Sequence, residues 1–535
     1  MVAVSLPFDI WWKILDYLPL TVSFNLRSLN RIFLEIHRKR NYRNLVIDRY
    51  GKSTKRKLAA LNAHSLGRYV YSLKIQPCWI VSNVPKFSHG PAARVSSTFD
   101  RVHSFFDSEY PKRKAQALVQ KRMRKQIKLI TEAARNLDSI KEYTLEWDEG
   151  PYHDEYFTAF LSNLADPIIT PFGQTLTKLS LKVPTNKFRY LVSAKLPALE
   201  ELHLHLVTKS LLESDINNHL DCLVVFVNNL FQSLRCLSIS STYTSLNLNL
   251  HQFFHRLGHF PLLRSLALTI PYDGAHLGSS LDSLRQFISK HSTNIQELKL
   301  LCRVRAATRI RPNDPSAKYW IQRILNSIQA PSIQTSAYSP SYNQLRGLRN
   351  LELALRPLRS DLQPFLTFLA SVADQLESLV LMDDALKPHE LGRVLNVLVQ
   401  RPAQTLGHYG SSLNGYGYTN IRHLSIRLQY LCPYTVDLLA SELRSLRSLR
   451  LTFSDVRFHH DEDVEQEQVQ WTHVDELNFF YDALRTRFYS DWKLSSLKIS
   501  ECPHPRHPKW GKEMEVLFKG CIPSLVLFDV FEPTV

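Results

Sequence analysis

The chain has 535 residues, 44% of them hydrophobic and 21% charged, a globular balance that excludes wholesale disorder. Glycine supplies only 16 residues, which weighs against sites built on glycine-rich phosphate loops, whereas leucine supplies 83, the mark of a helical protein or a leucine-built solenoid. The net charge of +17 belongs to the front quarter: residues 1–130 hold 25 Lys and Arg against 7 Asp and Glu, the rest 41 against 42, so the main body lacks the basic face of a protein that lies along nucleic acid.

Residues 1–45 read as two short amphipathic helices. Pro7 suits the first helical position, Asp9 the first turn and Pro19 the end. Ile10, Ile14 and Leu18 recur at i, i+4 and i+8 as one apolar stripe, widened by Trp11 and Leu15. In the second helix Ser23 can cap the start, Val22, Leu26, Leu29, Phe33 and Ile36 share a face, and the basic run His37–Arg40 closes the segment. So short a segment cannot bury both apolar faces on itself, so the pair either docks on the domain behind it or keeps a surface for a partner.

From about residue 42 a six-residue phrase recurs: apolar, two residues, Leu, one residue, apolar. Eight copies have polar residues at all three intervening positions: Leu176–Leu181, Leu199–Leu204, Ile295–Leu300, Leu348–Leu353, Ile421–Ile426, Leu446–Leu451, Val474–Phe479 and Leu494–Ile499. Composition alone would give roughly two, so the excess is a repeat. Looser copies are Val70–Ile75, Ile140–Leu145, Leu234–Ile239, Leu263–Leu268, Leu376–Leu381 and Ile522–Leu527. Within a strand alternate side chains face opposite ways, so Leu202 and Leu204 are expected inside and His203 and His205 outside. Helical patterns such as Leu362–Leu369 and Leu391–Leu398 lie between phrases. A unit of one strand and one helix cannot close a core alone, so units stack: the expected fold is α/β, a solenoid over 46–535 with a parallel β ribbon and helices on its outer face. Insertions are expected near 76–135, 303–345, 400–420 and 455–472. Ser180, Lys182, His203, His205, Lys299, Glu352, Arg427, Arg450, Asn478 and Lys498 are expected to line the concave face, where a protein substrate would lie.

Other features read as surface. Lys112–Lys128 holds eight basic residues and no acid; a solvated helix, a nuclear-import signal, a contact for an acidic partner and an RNA patch all fit it. The acidic stretch around Asp461–Asp463 reads as a loop. His459, His460, Cys502, His504 and His507 are metal-ligand types without a zinc spacing, so no metal or other cofactor is expected. No phosphate-loop, dinucleotide, nucleophile-elbow or CxxC signature occurs, and His389-Glu390 lacks the second His of a zincin, so no enzyme is expected. Seven scattered cysteines suit free thiols in a reducing compartment, cytoplasmic or nuclear. The longest apolar run, Cys222–Val227, is far too short to span a membrane, and the N-terminus lacks the basic start of a signal peptide.

Residues 6–36, from Leu6-Pro7 through the Ile10–Leu18 stripe to the Leu26-Arg27-x-Leu29-Asn30-Arg31-x-Phe33 helix, resemble an F-box. Followed by irregular leucine-rich repeats, the chain resembles the F-box/leucine-rich-repeat substrate receptors of Skp–cullin–F-box ubiquitin ligases. The resemblance implies that Leu6, Pro7, Ile10, Ile14, Leu15, Leu18, Leu26, Leu29 and Phe33 contact a Skp-type adaptor and, through it, a cullin, while the solenoid holds the substrate. The alternative is a leucine-rich-repeat interaction protein with no ligase role, nuclear and RNA-associated through its basic front.

Overall fold

A computed structural model of the chain describes residues 7–19, 22, 25–26, 31–48, 51–63, 66–76, 110–147, 154–165, 171–208, 211–245, 247–278, 281–303, 319–329, 345–358, 361–399, 419–457, 473–501 and 510–530. They form two compact units, 1–240 with 244–248 and 241–243 with 249–535. Among the described residues fourteen strands follow one another in chain order, parallel wherever the register between neighbours is defined.

The first unit holds β1 (Asn44–Ile47), β2 (Ser72–Ile75), β3 (Glu142–Glu146), β4 (Lys178–Pro184), β5 (Glu201–Val207) and β6 (Cys236–Ser241), the last residue of β6 counting with the second unit. Their register runs Leu45–Leu73–Tyr143–Leu179–Leu202 from strand to strand. The second holds β7 (Ser265–Pro271), β8 (Glu297–Arg303), β9 (Asn350–Ala354), β10 (Ser378–Met382), β11 (His423–Leu428), β12 (Ser448–Phe453), β13 (Ser496–Glu501) and β14 (Leu527–Val530). There Leu266, Leu298, Leu351, Leu379, Leu424, Leu449 and Leu497 occupy one row, with Phe528 at its end.

The core lies between strands and helices. In β4 burial alternates, with Leu179 and Leu181 inside and Lys178, Ser180 and Lys182 half-exposed. The first apolar residue of the phrase, one turn before each strand, is buried as well: Leu176, Leu199, Ile295, Leu348, Ile421, Leu446 and Leu494. Helices cover the other side and pack on their successors, among them Gln363–Val372 on Pro388–Val399 and Pro388–Val399 on Pro433–Glu442. The apolar periodicities at 362–369 and 391–398 are the buried faces of two of these helices.

One backbone device recurs before nearly every strand. Two successive N–H groups donate to a single carbonyl of the preceding repeat: Arg349 and Asn350 to Gln296, Glu377 and Ser378 to Arg349, Arg422 and His423 to Glu377, Arg447 and Ser448 to Arg422, Ser495 and Ser496 to Arg447. In the first unit Arg43, Tyr71, Lys141, Thr177 and Glu200 accept in the same way. A carbonyl oxygen has two lone pairs, so each turn into a strand satisfies two donors with one acceptor.

In the second unit an aromatic wedge fills the space behind β7 and β8. Phe287 lies 5.7 Å from Phe254, 6.2 Å from Phe260 and 4.5 Å from the His291 ring. His291 Nδ1 donates to the Phe287 carbonyl at 2.7 Å, and Nε2 accepts the Phe260 N–H at 2.9 Å. Burial pushes the imidazole down to about 4, so it stays neutral in the single tautomer that both bonds require.

Two expected strands need correction. Ile522–Leu527 ends where its strand begins: β14 is Leu527–Val530 and sets Phe528 opposite Leu497, so the repeat lies three residues later than the phrase, with Leu525 buried ahead of it. Val474–Phe479 lies in the helix His473–Arg485. Leu477, Phe480 and Leu484 follow helical spacing, and Phe480 and Leu484 are buried, so the 3.6-residue period prevails over a phrase that fits either structure. Of the expected insertions, two hold helices, Tyr110–Arg135 and Trp320–Gln329, whereas 400–418 and 458–472 lie outside the described residues.

Candidate interaction surfaces

The first surface is the N-terminal helix pair. Pro7 stands at the N-cap with φ −54° and ψ 152°, one place before the expected first helical position, and the helix runs Phe8–Asp16. Its partner, Arg31–Tyr42, continues through the basic run instead of ending there. The pair is stitched by Trp11 against Phe33, ring centroids 5.1 Å apart at 73°, and by Trp12 beneath Lys39 and Arg40, each 5.9 Å from the ring. Leu15 is 1% exposed and faces inward, whereas Ile10 and Ile14 are 37% and 40% exposed. Pro7 is exposed; Leu18, Leu26 and Phe33 are half-buried; Leu6 and Leu29 lie outside the described residues. The tryptophans hold the pair together, a role that their bulk alone does not announce.

The second surface is the solvent-facing side of the strands, described unit by unit. In the first, Ser180 and His203 share a row with Lys74 and Thr144, and Lys182 and His205 share the next with Glu146. Charges pair across strands: Lys74 with Glu146 at 2.8 Å and Lys178 with Glu201 at 3.0 Å, while His203 Nε2 lies 3.5 Å from Glu201. Burial opposes the Glu146 carboxylate, but hydrogen bonds from Lys74 and Gln76 outweigh it and hold its pKa below the usual range. His205 does not face solvent as expected. It is 9% exposed, with Nδ1 2.8 Å from Ser240 Oγ, because the last four residues of β5 are covered on both faces.

In the second unit Lys299, Glu352, Arg450 and Lys498 fall in one row, with Val380 and Ser425 between them and Asp529 beyond. Lys299 Nζ bridges Glu297 at 3.0 Å and Glu352 at 3.4 Å, and Lys498 lies 3.5 Å from Asp529. From β8 to β13 that row spans about 24 Å at the usual strand spacing. Arg427 stands one step further along the strands, opposite Thr452. Asn478 is exposed on its helix and does not belong to the row. In each unit this face is a line of polar and charged groups suited to another protein's surface.

Sequence reasoning missed a ridge at the carboxyl ends of the strands in the second unit. Tyr272 N–H donates to Tyr243 Oη at 3.1 Å, and the Arg356 guanidinium lies 6.0 Å from the Tyr272 ring centre. Arg356 N–H donates to Asp383 Oδ1 at 3.0 Å and its guanidinium to the Asp383 carbonyl at 3.2 Å. Asp383 has φ 64°, a left-handed conformation that Asp and Asn tolerate best among non-glycine residues, and its buried Oδ2 has no hydrogen-bond partner. Burial raises its pKa from 3.8 to about 6 against the pull of the Arg356 hydrogen bond and charge. Folding therefore favours the protonated acid, and the folded chain holds more protons than the unfolded one between about pH 4 and about pH 6, so this group's contribution to stability falls as pH rises through that window. Asp383→Asn is expected to raise stability by about 1–2 kcal/mol at pH 7.5 and to leave it unchanged at pH 4. Urea unfolding at the two pH values checks this; equal midpoints for variant and parent at pH 7.5 would contradict it.

Among the described residues no group of three or more His, Cys, Asp or Glu is placed to hold a metal, and no helix is long and apolar enough to cross a membrane. His459, His460, Cys502, His504 and His507 lie outside the described residues. Cys222, Cys236, Cys302, Cys432 and Cys521 are free thiols.

No protein-family model and no curated protein matches the chain. Among solved structures, the leucine-rich repeat-containing protein LegL7 from Legionella pneumophila is similar, with 13% identity over 60% of this chain and 87% of that one and a TM-score of 0.33. The architecture here, short parallel strands on a leucine ladder with helices behind, is that of a leucine-rich-repeat solenoid, a fold that presents extended surfaces to proteins.

Proposed function

We propose that the chain is a substrate-recognition subunit of a Skp–cullin–F-box ubiquitin ligase. The N-terminal helix pair engages a Skp-type adaptor and through it the cullin, and the polar faces of the strands hold a protein substrate. The chain performs no chemistry; it accelerates ubiquitin transfer by raising the local concentration of the substrate. One observation carries this reading. On the helix Phe8–Asp16, inside the F-box-like segment, Leu15 is anchored to its own chain while Ile10 and Ile14 stay open, leaving an apolar flank for another polypeptide.

The test is binding of a purified Skp-type adaptor to the full chain. Leu6→Asp/Ile10→Asp/Ile14→Asp should weaken binding by about 100-fold, the loss of a few interface anchors, without shifting thermal unfolding. An adaptor that holds the triple variant as tightly as the parent chain, or that binds neither, refutes the ligase reading.

A further inference from the structure

Two helices of the first unit combine into one basic face, although more than forty residues separate them in sequence. Helix Tyr110–Arg135 buries Met123, Gln126, Ile130, Ala133 and Ala134. At about 100° per residue the side chains opposite that stripe are Leu118, Lys121, Lys125 and Lys128, and all four are exposed. Helix Lys52–Ala63 packs alongside, with Leu58 and Leu61 buried. Asn136 Nδ2 donates to Asn62 Oδ1 at 3.2 Å, which brings the two C-terminal ends together, so the helices run in the same sense. Equal rise per residue then sets Lys52 level with Gln126, between Lys125 and Lys128 along the axis, and Arg56 and Lys57 about one turn further on, all three exposed. The sequences of the two helices contain one acid, Glu132, which lies 3.8 Å from Lys128.

Like charges gathered on one face repel one another, and an anionic partner relieves that repulsion. Two features favour a polypeptide over a nucleic acid. Leu118 is 54% exposed on the same outward face as Lys121 and Lys125, so apolar surface lies within the charge. Apart from Tyr110, which opens the longer helix about three turns before Lys121, the two helices contain no aromatic ring on which a base could stack. We propose that this face docks an acidic, amphipathic segment of a partner protein, its carboxylates meeting Lys52, Arg56, Lys121 and Lys125 and an apolar side chain covering Leu118. The proposal does not depend on the ligase reading, because none of these residues belongs to the N-terminal helix pair.

Fluorescence anisotropy on the full chain tests it with three labelled probes: a peptide repeating Glu-Leu-Glu-Glu, an all-glutamate peptide of the same length, and a short oligouridylate. The Glu/Leu peptide should bind most tightly, and more weakly as salt rises. Lys121→Glu/Lys125→Glu/Lys128→Glu should cost it about tenfold or more, and Lys52→Glu/Arg56→Glu about threefold, in keeping with interface charge reversal. Leu118→Ser should weaken the Glu/Leu peptide but not the all-glutamate one. If charge reversal lowers the melting temperature, the corresponding Gln variants take its place. Tighter binding of the oligouridylate, no binding of the Glu/Leu peptide at low salt, indifference to charge removal on either helix, or a Leu118→Ser variant that binds the Glu/Leu peptide like the parent would each overturn the proposal.

Discussion

Phe287→Ala should lower the stability of the second unit by about 3–5 kcal/mol, the range for a phenylalanine truncated in a close-packed core. The ring is fully buried, and it is the hub of the wedge that Phe254, Phe260 and His291 complete. Truncation leaves a cavity bounded by helix Asp282–Lys290 and by the turn that leads into β7, and none of those walls collapses easily. It also loosens His291, whose two bonds to backbone groups depend on the ring's position. The urea midpoint should fall, and amide exchange should accelerate between residues 251 and 300. Unchanged midpoints, or exchange that accelerates only elsewhere, would show that the wedge is not a stability centre.

Gly67→Ala should be nearly as damaging to the first unit, at about 3 kcal/mol, the upper end for forced overpacking. A Cβ on Gly67 would meet the Asn136 carbonyl oxygen at 1.7 Å and its carbon at 2.7 Å, and both are backbone atoms with no rotamer to yield. Gly67 opens the short 3-10 turn before β2, while Asn136 follows the long helix that leads to β3, so the clash separates two successive repeats. Gly520→Ala is the control, since nothing lies within 4 Å of its Cβ position. Amide exchange over 66–76 and 130–147 should rise in the first variant and stay unchanged in the second. Equal protection in both would mean that the backbone yields at this point without cost.

Much of the fold was legible because a solenoid keeps its core local: each leucine phrase reports on one strand, and all but two coincide with one, Ile522–Leu527 meeting β14 only at Leu527. The other exception, Val474–Phe479, satisfies strand and helix spacing alike, and only the continuation to Leu484 separates them. Strand β1 escaped the pattern because Tyr42 replaces the aliphatic anchor and Val46 fills a slot that is otherwise polar. Alternation leaves Ser180, His203, Lys299 and Glu352 half-exposed on the strands but fails at His205, in the stretch of β5 that is covered on both faces. The ridge of Tyr243, Tyr272, Arg356 and Asp383 could not be read from the sequence, since register alone gathers residues so far apart. The composite basic face was hidden for the same reason: Lys112–Lys128 is visible as a run, but its junction with Lys52–Lys57 rests on how neighbouring helices stack.

The shared carbonyls before the strands bear on how such a chain can change over time. Successive acceptors are as close as 23 residues, from Thr177 to Glu200, and as far apart as 70, from Tyr71 to Lys141, yet the turn they fasten is the same. Where each rung begins is dictated by the rung beneath it, not by the distance travelled to reach it. Return segments are therefore free to lengthen, shorten or acquire new helices, and a lineage can rebuild the outside of the molecule while the surface offered by the strands keeps its spacing.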